Sequence, residues 1–121
     1  MNIIKLNNQV TASAQITVDD IPEIVASGTE LLVCNRPDEE DVGQTPFEQI
    51  KQAAEAQGLE TELLAFSSYQ IANEDRDKLV ALIETGKKIH LYCRSGSRSR
   101  RLWRMANKIG CGGHDYAGAS A

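Results

Sequence analysis

Three short apolar runs, separated by segments of helical character, set the class of fold open to this chain. Leu31-Leu32-Val33-Cys34 breaks into Asn35-Arg36-Pro37-Asp38, Leu63 to Phe66 forms a second run, and Lys88 to Tyr92 ends in Cys93-Arg94-Ser95-Gly96. Such runs suit strands covered on both faces. Between them, Thr45-Pro46-Phe47-Glu48 combines a capping box with proline at the first helical position, and predicts a helix to Gly58 that buries Phe47, Ile50 and Ala54. Asn73 is the expected cap of a further helix carrying Leu79, Val80, Leu82 and Ile83, closed by Gly86. Ile16 to Gly28 predicts an earlier helix with Ile21, Ile24 and Val25 on one face, and a last helix runs to about Ile109. This alternation implies right-handed βαβ units and an α/β fold with a mainly parallel central sheet flanked by helices. The expected organisation is an N-terminal segment, 1–15, an α/β domain, 16–109, and a Gly- and Ala-rich tail, 110–121, loosely held.

With 121 residues, 41% apolar and 25% charged, the chain can hold one core without a structural metal or disulfides. Three cysteines, Cys34, Cys93 and Cys111, are an odd count, so free thiols in a reducing cytoplasm are expected. No apolar stretch approaches the ~20 residues that span a bilayer, and the first residues lack the pattern of a signal peptide. The net charge of −4 argues against a surface made for nucleic acid or anionic lipid. Yet eight of the thirteen Lys and Arg residues fall between Lys87 and Lys108, where there is no carboxylate. That stretch predicts a site for a small anion.

Its centre is Cys93-Arg94-Ser95-Gly96-Ser97-Arg98-Ser99, carried from a strand directly onto a helix. Ligands of parallel sheets collect beyond the carboxyl ends of strands. A thiol at a helix N-terminus beside cations is partly thiolate at neutral pH, which makes Cys93 the expected nucleophile. Gly96 and the small residues Ser95, Ser97 and Ser99 let backbone N–H groups curl round an oxyanion, with Arg94 a further anion-binding residue and Arg98 offering a bidentate fork.

These segments resemble the phosphatase-like domain of the bacterial beta-lactamase hydrolase-like proteins, whose fold is that of the protein tyrosine and dual-specificity phosphatases. The resemblance runs from about Ile16 to Ile109. It is carried by Ile16-Thr17-Val18-Asp19-Asp20-Ile21-Pro22, by Cys34-Asn35-Arg36-Pro37-Asp38-Glu39-Glu40, by the Ala-rich helix ending Gly58-Leu59, and by Tyr92-Cys93-Arg94-Ser95-Gly96-Ser97-Arg98-Ser99 with Leu102-Trp103. It implies a cysteine-phosphatase-like fold and a hydrolase with Cys93 as nucleophile and Arg98 as anion clamp. Two departures stand out. Tyrosine phosphatases place five residues between nucleophile and arginine, whereas Cys93 and Arg98 enclose four, the spacing of rhodanese-type sulfurtransferases. Dual-specificity phosphatases also carry an acid soon after the strand matching Leu63–Phe66, where this chain has Ser67-Ser68-Tyr69-Gln70.

A phosphate ester's leaving oxygen needs a proton, and Asp38 is the expected general acid because it follows Leu31–Cys34 at the carboxyl end. The plainer alternative is a turn, in which Asp38 fixes geometry and Arg36 pairs with a neighbouring carboxylate. Glu74 and Asp75 are second choices for that acid, their plainer reading being helix N-terminal charges. Tyr92 stands where phosphatases usually have histidine, and His90 reads as a partly buried strand residue on the same face. Cys34 is expected to pack as a small hydrophobe, with a resolving thiol as the alternative. Trp103 reads as packing, and Arg100, Arg101 and Arg104 as a solvated face. Cys111 and His114 are too few for a zinc site, and no metal or cofactor is expected.

The first expected function is thus a cysteine-dependent phosphatase-like hydrolase taking a small phosphate ester. The alternative is a rhodanese-type sulfurtransferase carrying a Cys93 persulfide from a sulfane-sulfur donor. A non-catalytic module for a phosphorylated partner ranks last, since it would not require a cysteine at the base of the cradle.

Overall fold

A computed structural model describes residues 1–66 and 71–110, with side chains described as far as Asn107. Its five strands are β1 (Ile4–Lys5), β2 (Val10–Ser13), β3 (Leu31–Cys34), β4 (Glu60–Leu63) and β5 (Ile89–Tyr92). They form one sheet in the order β1-β2-β5-β3-β4. Every pairing is parallel except the β1–β2 hairpin. β3 and β5 are buried at all four positions because each lies inside the sheet with helices over both faces.

The helices are α1 (Ile21–Ala26), α2 (Phe47–Ala56), α3 (Asn73–Glu84) and α4 (Ser97–Gly110). One face of the sheet packs Ile21 and Ile24 of α1 and Ile50 and Ala54 of α2 against Leu32, Cys34 and Tyr92. The other packs Leu79 of α3 and Leu102 and Ala106 of α4 against Val33, Ile89 and Leu91. β3 and β5 are neighbours pointing the same way, so the loops leaving their carboxyl ends meet. No helix among the described residues is long and apolar enough to cross a membrane.

The structure shifts several expected boundaries. Residues before Ile16, expected to stand apart from the domain, supply two strands of the sheet and core residues Val10 and Ala12. The first helix begins at Ile21, because Asp20 Oδ2 accepts the Thr17 N–H at 2.9 Å and tightens Val18–Asp20 into a 3-10 turn. β4 begins at Glu60, three residues before the apolar run at Leu63 that suggested it. Its register is set by β3, with Leu31 opposite Glu60 and Cys34 opposite Leu63. As an edge strand it carries Glu60, Glu62 and Leu63 exposed, while Leu64 and Phe66 bury themselves after it. Helix α2 starts at Phe47, whose N–H is capped by Asp38 Oδ1 at 2.8 Å and not by Thr45. Helix α3 starts one residue earlier than expected, at Asn73, so that its cap position is Ala72, whose N–H is accepted by Asp75 Oδ2 at 3.2 Å.

Candidate active site

β5 carries the chain into Cys93, which is fully buried at the floor of the following loop. The Gly96 N–H donates to Cys93 Sγ at 3.0 Å, a contact that a thiolate accepts more strongly than a thiol. Gly96 has φ +94°, and a Cβ there would stand 3.4 Å from both the carbonyl carbon and the oxygen of Ser13. Glycine is therefore demanded by the backbone conformation, while the space beside Ser13 is only as tight as ordinary contact. The Gly96 carbonyl accepts the Arg100 N–H at 3.1 Å and opens α4, so the loop sits against that helix's N-terminal end.

The loop rests on the segment after β2. Ser13 O accepts the Cys93 N–H at 3.4 Å, and the Gln15 N–H donates to Arg94 O at 3.2 Å. On the opposite side stands the loop after β3. Asn35, wholly buried, donates from Nδ2 to Leu64 O at 2.9 Å and accepts the Ser99 hydroxyl on Oδ1 at 2.8 Å. It thus ties the ends of β3 and β4 to the first turn of α4. We expect Asn35→Ala to cost about 1–3 kcal/mol, since it strands a buried hydroxyl and a buried carbonyl. Chemical denaturation checks this, and a midpoint unchanged from wild type would contradict it.

Glu40 sits at the centre of the electrostatics. Its Oε1 and Oε2 accept Arg98 NH2 and NH1 at 2.7 and 2.9 Å, and Oε1 also accepts Arg36 Nε at 2.8 Å. Arg98 NH1 further donates to Phe66 O at 2.9 Å. Asp41 Oδ2 joins Arg36 NH2 at 2.7 Å and Arg94 Nε at 3.1 Å. The Arg98 guanidinium beside it holds the Glu40 carboxyl at about 2, well below the usual carboxylate range. A carboxyl so depressed stabilises the fold at neutral pH, and that contribution fades as pH falls from the ordinary 4.5 towards 2.

The structure thus places Cys93, Arg94, Ser95, Gly96, Ser97 and Arg98 on one loop and helix start, with Asp38 on the neighbouring loop. The Arg98 guanidinium is engaged bidentately by Glu40. One expected role needs correction. The Ser99 hydroxyl, expected to face an anion, is buried and spent on Asn35. Arg36 pairs with neighbouring carboxylates, as expected of a turn.

Cys34 is buried, and its thiol donates to Arg36 O at 3.1 Å. Burial pushes that thiol's pKa up. Trp103 packs against the core. His90, expected to be partly buried, is wholly so. Sequence reasoning missed Glu40 and Asp41, although an arginine followed four residues later by a glutamate was the available signal. Among the described residues no group of His, Cys, Asp and Glu is arranged to hold a metal ion. Ser67 to Gln70, Cys111, His114 and the tail lie outside the described residues.

The family model described as the beta-lactamase hydrolase-like protein, phosphatase-like domain, matches residues 2–110. A beta-lactamase hydrolase-like protein of Agrobacterium fabrum is 28% identical over 110 residues, which cover 90% of this chain and 26% of that protein. The chain therefore spans about a quarter of that curated relative's length. A candidate phosphatase of Neisseria meningitidis, solved as a crystal structure, is 33% identical with a TM-score of 0.78, covering 85% of this chain and 74% of its own. The core catalytic domain of a PP-IP phosphatase from S. cerevisiae shares the fold at 11% identity and a TM-score of 0.61, over 88% of this chain and 76% of its own.

Proposed function

Since the chain belongs to the phosphatase-like domain family of the beta-lactamase hydrolase-like proteins, we propose that it is a cysteine-dependent hydrolase of small phosphate esters. The observation that carries this reading is the joint placement of Cys93 Sγ under the Gly96 N–H and of the Arg98 guanidinium, oriented by Glu40, on the same loop. The Cys93 thiolate attacks phosphorus, a P–S bond forms, and the P–O bond to the leaving group breaks. Arg98, Arg94 and the amides from Ser95 to Ser97 balance the charge on the remaining oxygens. Water then attacks the phosphocysteine and gives its proton to the Asp38 carboxylate left by the first step, the P–S bond breaks, and phosphate leaves with the thiolate restored.

Asp38 is the proposed donor to the leaving oxygen. Its Oδ1 accepts the Phe47 N–H, which leaves Oδ2 to carry the proton. Asp38→Asn keeps the helix cap through its amide oxygen and removes the proton. We expect it to slow an alkyl phosphate by about 10²–10⁴-fold. A nitrophenyl phosphate, whose leaving group departs unprotonated, should be slowed far less. Equal losses on both substrates would remove Asp38 from this role.

The four residues between Cys93 and Arg98 favour a second reading, a sulfurtransferase. Cys93 would attack the outer sulfur of thiosulfate, forming an S–S bond and expelling sulfite, and cyanide would then remove that sulfur as thiocyanate. No acid is required. Parallel assays on an aryl phosphate and on thiosulfate with cyanide separate the two readings.

A further inference from the structure

The wholly buried His90 is unused by that chemistry, yet its contacts lead to the nucleophile's loop. In the parallel pairing of β2 with β5, Thr11 lies opposite His90, and strand alternation puts Ser13 on the same face two residues on. Two hydroxyls therefore flank the imidazole, with Thr11 Oγ1 2.7 Å from Nδ1 and Ser13 Oγ 2.8 Å from Nε2. Ser13 Oγ donates its own proton to Ala14 O at 2.9 Å, so it accepts from Nε2–H, and Nδ1 accepts from Thr11. Burial pushes the imidazole's pKa down to about 4, which keeps this neutral tautomer in place at neutral pH.

The segment that His90 grips is the one on which the loop rests. The Ser13 carbonyl accepts from Cys93, the Gln15 N–H donates to Arg94, and Gly96 packs on Ser13 and Ala14. Gln15 Oε1 also accepts Arg36 NH1 at 3.0 Å, which links the segment to the Arg36–Glu40–Arg98 chain. The contacts form a closed circuit from β5 through the loop to residues 13–15 and, through the imidazole, back to β5. We infer that His90 is a positioning residue for the Cys93 loop, acting through its hydrogen bond to Ser13. A buried histidine between two hydroxyls need only satisfy itself to be tolerated in a core. Here the partner's own backbone touches the loop at its start and at its glycine, so a shift of Ser13 is a shift of the cradle.

The inference rests on the anion-cradle reading of the loop, and the test separates the two without using turnover. Iodoacetamide labelling of Cys93 is followed by mass spectrometry in rising inorganic phosphate or thiosulfate. In wild type the anion should protect Cys93. His90→Leu and Ser13→Ala should each raise the half-protecting concentration about tenfold, and the double variant little more, because both open the same circuit. His90→Gln, whose amide can still donate to Ser13, should stay within about threefold of wild type. So should Thr11→Val, which removes the hydroxyl on the far side of the ring. Ser13→Ala carries the test where His90→Leu does not fold.

Wild-type protection at the same concentration in both loss variants would overturn the inference. So would a Thr11→Val shift equal to that of His90→Leu at equal loss of melting temperature, since that would reduce His90 to packing. No protection of wild-type Cys93 by either anion would remove the cradle itself, and the inference with it.

Discussion

Cys93→Ser is expected to abolish turnover, by at least about a thousandfold, on whichever of the two assays the wild-type protein answers. Both readings form a covalent bond to Sγ, and at neutral pH a serine hydroxyl is a far weaker nucleophile than a thiolate. The replacement is nearly isosteric, and the Gly96 N–H that donates to Sγ can donate to Oγ, so the loop should keep its form. A melting temperature close to that of wild type would show that chemistry was lost and not fold. Retention of a tenth or more of the wild-type rate would end the covalent mechanism in either version.

Arg98→Lys is expected to lose on the order of a hundredfold in turnover, comparable to removing one oxyanion donor. The Arg98 guanidinium is held by a bidentate contact to Glu40 and by the Phe66 carbonyl, and a lysine ammonium cannot reproduce that planar arrangement. The charge would survive but its placement would not. Glu40 keeps its bond to Arg36 in the variant, so the neighbouring loop is expected to stay folded. Arg101→Lys, further along α4, serves as the control and should cost little beyond association rate. If the two substitutions had the same modest effect on the assay to which the protein responds, Arg98 would not be the clamp.

The depressed Glu40 carboxyl bears on how these activities should be measured. The ion pairs that orient Arg98 stay formed across the neutral range and fail only in strong acid, so a pH profile between 5 and 9 will not report on Glu40. Any inflection there belongs to another group.

The identity of the strands β3 and β5, the helix starts near Phe47 and Asn73, and the loop with Cys93, Gly96 and Arg98 are all legible in the amino-acid sequence. Each is a local matter: an apolar run, proline or an acidic residue at a helix start, or glycine and small residues beside a cysteine at a strand-to-helix turn. The central sheet follows from alternation alone.

Tertiary structure decided the rest. Val10–Ser13 alternates Val10 and Ala12 with polar residues and makes no apolar run, and becomes a strand because β5 offers it an open edge. β4 has exposed glutamates where an apolar run was sought, since at the sheet's edge none of its four residues is buried. Asp38 caps α2 from nine residues away, Glu40 reaches Arg98 across 58 residues, and His90 finds Ser13 across 77. No periodicity records such partners. They are chosen when parallel pairing of β2, β3 and β5 brings three carboxyl ends to one edge, where buried polar groups must satisfy one another. Cys93 and its loop were therefore written in the sequence, whereas the carboxylate that holds Arg98 and the shelf beneath the loop exist only once the sheet has formed.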